Sequence, residues 1–452
     1  MPEILLSREH LLAKVENLPL ARRITFEIGQ QRNKVFAVAD QALFAGGNLF
    51  LTVGLGRVLP AKEYGLFALA QSAYFVLASC HSALVIEPLL VYRQHSYPTR
   101  SNEYYGATVA MSVAFSSACA LIVLIIACFA HVLGQHDALT CAVGVAILTP
   151  PTSLLWLLRR TSFAELRPHL AAKAGLLYLG TAIIVLTALK LTANIGVITG
   201  FSACSVAALP SIALLLRTLS VQRPVGGLVF AREVLAKHWV FARWSLQTGL
   251  LRWIPSNAPQ WFAASYLGPA AAANLKVLLT PLMPFMQSVG ALSALLVPSF
   301  VLAAPGEERR RKVWNNLKIG TLAGISYLVP ASIFHRQLIG LLFGRTYIGI
   351  SWLLPIMLCA AISEVWITVL SPYFLASLLP QRLFVAYSLS ALACLAFGYS
   401  AVHTWATAGA VFLYVGSGFA TAGMLSLFFW VERERSKSEF ATGSLGGAAS
   451  GK

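Results

Sequence analysis

The chain has 452 residues, of which 57% are hydrophobic and only 11% are charged, and its mean hydropathy is +0.71. Soluble globular domains carry about 25% charged residues, so this composition argues against a soluble enzyme and favours a polytopic membrane protein. The net charge of +17 would suggest a nucleic-acid partner in a soluble protein, but in a membrane protein it reports orientation, and no nucleic-acid partner is expected.

Residues 1–34 alternate short apolar runs with charges, and we expect a basic cytoplasmic segment without a cleaved signal peptide. This segment forms either an amphipathic helix on the membrane surface or a disordered tail. After it come twelve apolar stretches long enough to cross about 30 Å of hydrocarbon. The predicted spans are 35–57, 64–92, 104–130, 138–158, 166–189, 193–216, 238–264, 270–302, 313–342, 347–376, 383–403 and 407–430.

The spans divide into an N-terminal six-helix bundle (35–216) and a C-terminal one (238–430). A cytoplasmic linker (217–237) joins the bundles, and a Gly-, Ser- and Ala-rich cytoplasmic tail (431–452) is predicted to be disordered. A weak internal repeat supports the division, because residues 57–66 between spans one and two resemble residues 265–275 between spans seven and eight. Copies six spans apart enter the membrane in the same direction. The predicted fold is therefore an all-α membrane protein with two parallel bundles around a central cavity.

Most of the 34 Lys and Arg residues fall on the side of the N-terminus, which predicts cytoplasmic termini. The sequence has no Walker A, HExxH or GxGxxG motif, and its seven cysteines lie inside predicted spans without CxxC pairing. We therefore expect no enzymatic activity, no ATP hydrolysis, no metal and no cofactor. Active transport would then draw on an ion gradient, the membrane potential or consumption of the substrate.

Polar side chains recur at helical spacing along span seven, with Arg252 near the middle of the bilayer. A guanidinium is charged at every physiological pH and matches phosphate oxygens, so Arg252 predicts a phosphate-bearing substrate. Lys276 and Arg57 would extend the cationic path outward, unless these two side chains snorkel to the lipid headgroups. The alternative for the row of polar residues on span seven is that they hydrogen-bond between packed helices. The other predicted cavity-lining residues, on spans one and seven, are Asn48, Thr52, Thr248, Ser256 and Gln260.

Three acidic residues lie within spans and are candidates for ion coupling. Asp40, near the predicted start of span one, is sufficiently explained by stabilisation of a helix N-terminus. Glu87 either pairs with Arg93 or lines the inner mouth of the cavity. Glu364, in the middle of span ten, either carries a coupling proton or cation or pairs with Arg252.

Residues 40–48 (DQALFAGGN) and 56–69 (GRVLPAKEYGLFAL) together resemble the opening of Wzx-type polysaccharide flippases. These flippases belong to the multidrug/oligosaccharidyl-lipid/polysaccharide (MOP) exporter superfamily, and the resemblance covers essentially the whole chain by span count. It implies a bacterial inner-membrane flippase that translocates a polyprenyl-diphosphate-linked oligosaccharide by alternating access, in a cationic cavity where Arg252, Lys276 and Arg57 would act. It also implies a polysaccharide polymerase and glycosyltransferases as partners beside the membrane lipids. The second half departs from the pattern, because alanines occupy 270–273 where acidic or polar residues are usual.

Two other functions compete with the flippase. A cation-coupled multidrug exporter of the same superfamily would bind cationic cargo, against which Arg252 argues. A membrane-embedded polysaccharide polymerase or ligase would need a sizeable outer loop with acidic or basic groups, whereas the short predicted outer loops hold only Glu63 and Asp137 as acids.

Overall fold

The computed structural model describes residues 20–192, 195–219, 221, 227–304, 306–377 and 379–448. Residues 1–19 and 449–452, as well as 222–226 of the predicted linker, lie outside this range. The described chain is helical almost throughout, as a membrane protein requires, because a backbone in hydrocarbon must satisfy its own hydrogen bonds. Eight of its helical segments are long and apolar enough to cross a membrane, and a ninth is a bent pair of helices.

Five of the first six predicted spans each correspond to one helix. Span two continues from its first helix through one π-helical turn, Ser82–Ile86, into a second short helix. The helices are Leu20–Val58, Ala61–His81 with Glu87–His95, Ser101–Val132, His136–Ala164, Pro168–Thr192 and Val197–Thr218.

The C-terminal spans are more often broken, because Pro and Gly interrupt them. Span seven is one long helix, whereas span nine bends by 80° and span ten begins as a 3-10 helix, Arg345–Leu353, after Gly344 at φ 76°. The helices are Gly227–Leu267, Pro269–Leu279 with Met283–Leu302, Glu307–Ile333 with His335–Phe343, Leu354–Leu358 with Ala360–Ala376, and Pro380–Ala448.

The last helix contains two passes, because the chain reverses at Ala406, whose φ of 49° and ψ of −132° are not helical. A Cβ on Gly409 would lie 2.0 Å from the Ala401 carbonyl oxygen, so this tight hairpin requires a glycine. Spans eleven and twelve are the two arms. The second arm stays helical to Ala448. Charged residues that end a span need not end a helix.

The first part of span seven packs on spans two and three, and the two bundles also meet at one end of the molecule, which we call the closed end. There the beginning of span two packs on the beginning of span eight. A Cβ on Gly65 would lie 1.8 Å from the Pro269 carbonyl oxygen, so the two backbones are in direct contact. Gly65 and Pro269 belong to the two copies of the sequence repeat, which therefore meet at this end. At the opposite, open end the bundles enclose a cavity.

Candidate substrate cavity

A cavity of about 680 Å³ lies between the bundles. Its walls come from the later parts of spans two, four and ten and the earlier parts of spans seven and eleven, which places it toward the open end. The volume lies in the usual range of small-molecule sites, about 300–1,000 Å³. The residues that line it include Tyr74, Glu87, Trp156, Arg160, Ser245, Thr248, Arg252, Trp253, Ser256 and Tyr387.

Arg252 lies in the cavity wall with 57% of its side chain exposed. One of its terminal nitrogens donates a hydrogen bond of 3.1 Å to Oε1 of Glu364, which lies mostly behind the wall in an adjoining pocket. The structure thus contains the ion pair that was one of the two expectations for Glu364. A guanidinium has five N–H donors, so a single carboxylate contact leaves donors for a ligand.

Glu87 also lines the cavity, which confirms one of the two predictions made for it from the sequence. It accepts hydrogen bonds from the hydroxyls of Ser82 and Ser245, and the second bond joins span two to span seven. The alternative pairing with Arg93 is wrong. Arg93 lies farther along the span and instead bonds Glu165 at 2.8 Å, at the end of span four.

Span four supplies two arginines that sequence reasoning missed. Arg160 lines the cavity. Its neighbour Arg159 is buried in the N-terminal bundle and makes a bidentate ion pair with Asp40, at 2.7 and 3.0 Å. The Arg159 guanidinium also lies 3.7 Å from the centre of the Phe44 ring. Two adjacent arginines near the end of a span resemble headgroup anchors, but four residues of helix beyond them carry no charge before Glu165, a sign that they lie inside the protein.

The expectation that Asp40 stabilises a helix N-terminus is wrong. The helix begins at Leu20 and Asp40 lies well inside it, beyond the first turn where the helix dipole acts. Its carboxylate is fully buried and neutralised by Arg159 instead. Both partners belong to the first six spans, so the pair ties span one to span four.

Asn48 and Thr52 of span one do not line this cavity. The Asn48 side-chain oxygen accepts a hydrogen bond of 2.8 Å from the Tyr178 hydroxyl on span five. Thr52 is buried, and its carbonyl accepts a hydrogen bond of 3.2 Å from the Tyr64 hydroxyl. Span one packs along span five, and span two takes the place in the wall that the sequence assigned to span one.

Three further predicted residues lie toward the closed end rather than in the cavity wall. Arg57 donates to the carbonyls of Leu341 and, at 2.7 Å, Leu342. Gln260 is buried and donates to the Ala272 carbonyl at 3.2 Å. Lys276 is buried as well, and forms no hydrogen bond or ion pair through its ammonium group with another residue that the structure describes. The structure brings together Arg252, Thr248 and Ser256 in the wall and separates them from these three.

Two tryptophans of span seven bond to span two: Trp253, which lines the cavity, and Trp261, which lies two turns farther toward the closed end. The Trp253 indole donates to the Ser72 carbonyl at 2.9 Å, and the Trp261 indole donates to the Ser72 hydroxyl at 2.7 Å. Ser72 lies in span two, so these bonds cross between the bundles. Together with the Gly65–Pro269 contact they form what we call the inter-bundle seal.

Neither a protein-family model nor a curated protein matches this sequence. Solved structures do match it. The chain is similar to an inward-facing multidrug-resistance MATE family transporter of the MOP superfamily, at 14% identity over 89% of this chain and 99% of that chain, with a TM-score of 0.72. The chain has the fold of the MOP-superfamily transporters.

Two more structures agree on this fold. A eukaryotic MATE transporter, AtDTX14, is 15% identical over 92% of this chain and 99% of its own length, with a TM-score of 0.66. A MOP-superfamily transporter from Pyrococcus furiosus, described by the reversed polarity of its binding pocket, is 14% identical over 89% and 96%, with a TM-score of 0.64. The fold confirms the predicted multi-pass, twelve-span architecture in two bundles.

Proposed function

We propose that this chain is a transporter that moves a polyprenyl-diphosphate-linked oligosaccharide across the bacterial inner membrane, from the cytoplasmic to the outer leaflet, for polysaccharide biosynthesis. The observation that carries this function is the charge of the cavity. Arg252 and Arg160 both reach it, from the C-terminal and the N-terminal spans respectively. Two guanidinium groups on opposite bundles suit a ligand with two adjacent phosphates.

The uncharged part of the wall suits the sugar part of such a substrate. Trp156, Trp253, Tyr74 and Tyr387 present aromatic surface, and Ser and Thr hydroxyls lie between them. Aromatic faces with interspersed hydrogen-bonding groups fit sugar rings, which have apolar C–H faces and polar edges. Alternating access follows from a cavity that is open at one end and sealed at the other. In this proposal the open end and both termini face the cytoplasm, and a polymerase and glycosyltransferases act beside the chain.

A cation-coupled multidrug exporter is the second candidate. It is favoured by Glu87, a carboxylate in the cavity wall whose hydrogen bonds come from serines, because a carboxylate can attract a cationic drug or hold a coupling ion. The MATE transporters with the same fold support this exporter candidate to the same degree as the flippase candidate. The two candidate functions differ in the sign of the charge on the transported molecule.

The test is mass spectrometry of lipid extracts from cells that contain or lack the chain, complemented with the wild type or Arg252→Ala. The flippase predicts that complete polyprenyl-diphosphate repeat units accumulate without the chain and with Arg252→Ala, and disappear with the wild type. If no such lipid accumulates and only sensitivity to cationic drugs changes, the exporter is correct and the flippase is refuted.

A further inference from the structure

A second cavity, of about 220 Å³, lies on the C-terminal bundle, away from the substrate cavity. It forms between spans nine, ten and twelve, near the open end. We call it the tryptophan cleft, and the residues that line it are Trp314, Leu317, Trp366, Leu370, Ser426, Phe429 and Trp430. No described residue lines both this cleft and the substrate cavity.

The interior of the cleft is apolar. The Trp366 indole already donates to the Thr321 hydroxyl at 3.1 Å, and the Ser426 hydroxyl donates to the Ala422 carbonyl of its own helix at 2.7 Å. These two polar groups therefore do not need water inside the cleft. Apolar cavities of this size stay dry and take hydrocarbon instead. In a bilayer the hydrocarbon at hand is a lipid chain.

The mouth of the cleft has the features of a membrane interface. The side chains of Trp314 and Trp430 are 40% and 56% exposed, and tryptophan is enriched at the headgroup level, where its N–H can bond to polar lipid atoms. Trp314 lies in the second turn of its helix and Trp430 lies just before the charged residues that follow span twelve. The cleft thus extends from the interface into the hydrocarbon.

Cations flank this mouth. Arg311 and Lys318 are exposed, and their spacing from Trp314 places all three on one side of span nine. Neither cation makes a hydrogen bond or ion pair with another described residue.

The neighbouring cations are occupied. Arg310 bonds the Glu432 carbonyl, Arg382 pairs with the Glu432 carboxylate, and Lys312 pairs with Glu308. Glu308 and Glu432 are therefore engaged too, and although Glu308 also attracts Arg311 electrostatically, Arg311 and Lys318 keep their donors for an external anion.

We propose that the tryptophan cleft binds one anionic phospholipid, with an acyl chain between Trp314, Trp366 and Trp430 and its phosphate at Arg311 and Lys318. An apolar slot that ends at two exposed cations matches the chemistry of such a lipid from chain to headgroup. A zwitterionic lipid would fill the slot but gain less from the cations.

Native mass spectrometry of the purified full-length protein, delipidated and titrated with phosphatidylglycerol or phosphatidylcholine, tests this site. We expect one tightly retained phosphatidylglycerol. The double variant Arg311→Gln/Lys318→Gln should weaken its binding roughly thirtyfold, the loss of two cation–lipid contacts. Arg232→Gln, which removes an exposed cation at the start of span seven, is the matched control and should bind as the wild type does.

Ser426→Leu places a larger side chain in the cleft without removing a cation, and it should abolish retention of the lipid. Quenching of tryptophan fluorescence by lipids with brominated acyl chains should fall in the same variant. Equal retention of both lipids, or unchanged binding in the double variant, would refute the headgroup site. Unchanged binding in Ser426→Leu would refute the slot. Displacement of phosphatidylglycerol by a polyprenyl diphosphate would assign the cleft to the substrate tail instead.

Discussion

Gly65 offers the sharpest test of the inter-bundle seal. In Gly65→Ala the new Cβ would meet the Pro269 carbonyl oxygen at 1.8 Å, whereas ordinary contact begins at 3.4 Å. The two backbones must therefore separate by roughly 1.6 Å, because no rotamer change can relieve a contact between a Cβ and a carbonyl. Alanine is a better helix former than glycine, so the helix itself is not weakened. The strain falls on the contact between the bundles.

Overpacking of this kind costs about 1–3 kcal/mol, which corresponds to a shift of about 5- to 150-fold from the sealed toward the unsealed population. Hydrogen–deuterium exchange of the protein in lipid nanodiscs measures it, in peptides that cover residues 61–74 and 269–279. We expect faster exchange there and unchanged exchange in Ser101–Val132. Gly46→Ala is the matched control, since a Cβ at Gly46 has no neighbour within 4 Å. Exchange in Gly65→Ala identical to that control would refute the seal.

Substitutions at three further residues test the cavity and the N-terminal bundle. Arg252→Ala should abolish clearance of the lipid-linked oligosaccharide, and Arg252→Lys should retain part of it, because lysine keeps the charge but loses the fork; full clearance by the alanine variant would remove Arg252 from the site. Glu364→Gln should alter the pH dependence of transport if Glu364 couples an ion, and an unchanged rate and profile would leave it only the ion pair. Asp40→Asn should destabilise the protein by about 3–5 kcal/mol because it strands a buried guanidinium. Thermal unfolding measures that loss of stability. The control is Glu233→Gln, which breaks the exposed pair with Lys237 and should cost about 0–1 kcal/mol. Equal melting temperatures of the two variants would contradict the prediction for Asp40.

Hydropathy predicted the spans well because it depends only on which residues are compatible with hydrocarbon. It could not say which face of a span packs on which neighbour. Asn48 illustrates the limit, since its polarity suggested a cavity and the structure pairs it with Tyr178 inside the N-terminal bundle. Arg159 and Arg160 illustrate it again, because adjacent residues on one helix have different surroundings, one in the bundle and one at the cavity.

The pairing of Arg252 with Glu364 was within reach of the sequence, because both charges lie deep in spans where an unpaired charge is costly. The ends of the helices were harder to predict from the sequence. Span one extends back to Leu20 and span seven to Gly227, beyond the apolar stretches that defined the predicted spans. A helix can continue through polar sequence outside the hydrocarbon, where hydropathy carries no signal for it.

Three contacts between the bundles toward the closed end share a feature that no sequence pattern reveals, which is that one partner is a backbone carbonyl. Arg57 bonds the carbonyls of Leu341 and Leu342 at the end of a helix, where carbonyls lack intrahelical partners. Trp253 bonds the Ser72 carbonyl, and Gly65 packs on that of Pro269. Replacing such a hydrogen bond by one to water costs little, about 0.5–1.5 kcal/mol each. A seal built from such contacts can part when water enters, without leaving buried polar groups unsatisfied, and this is the behaviour that alternating access requires of it.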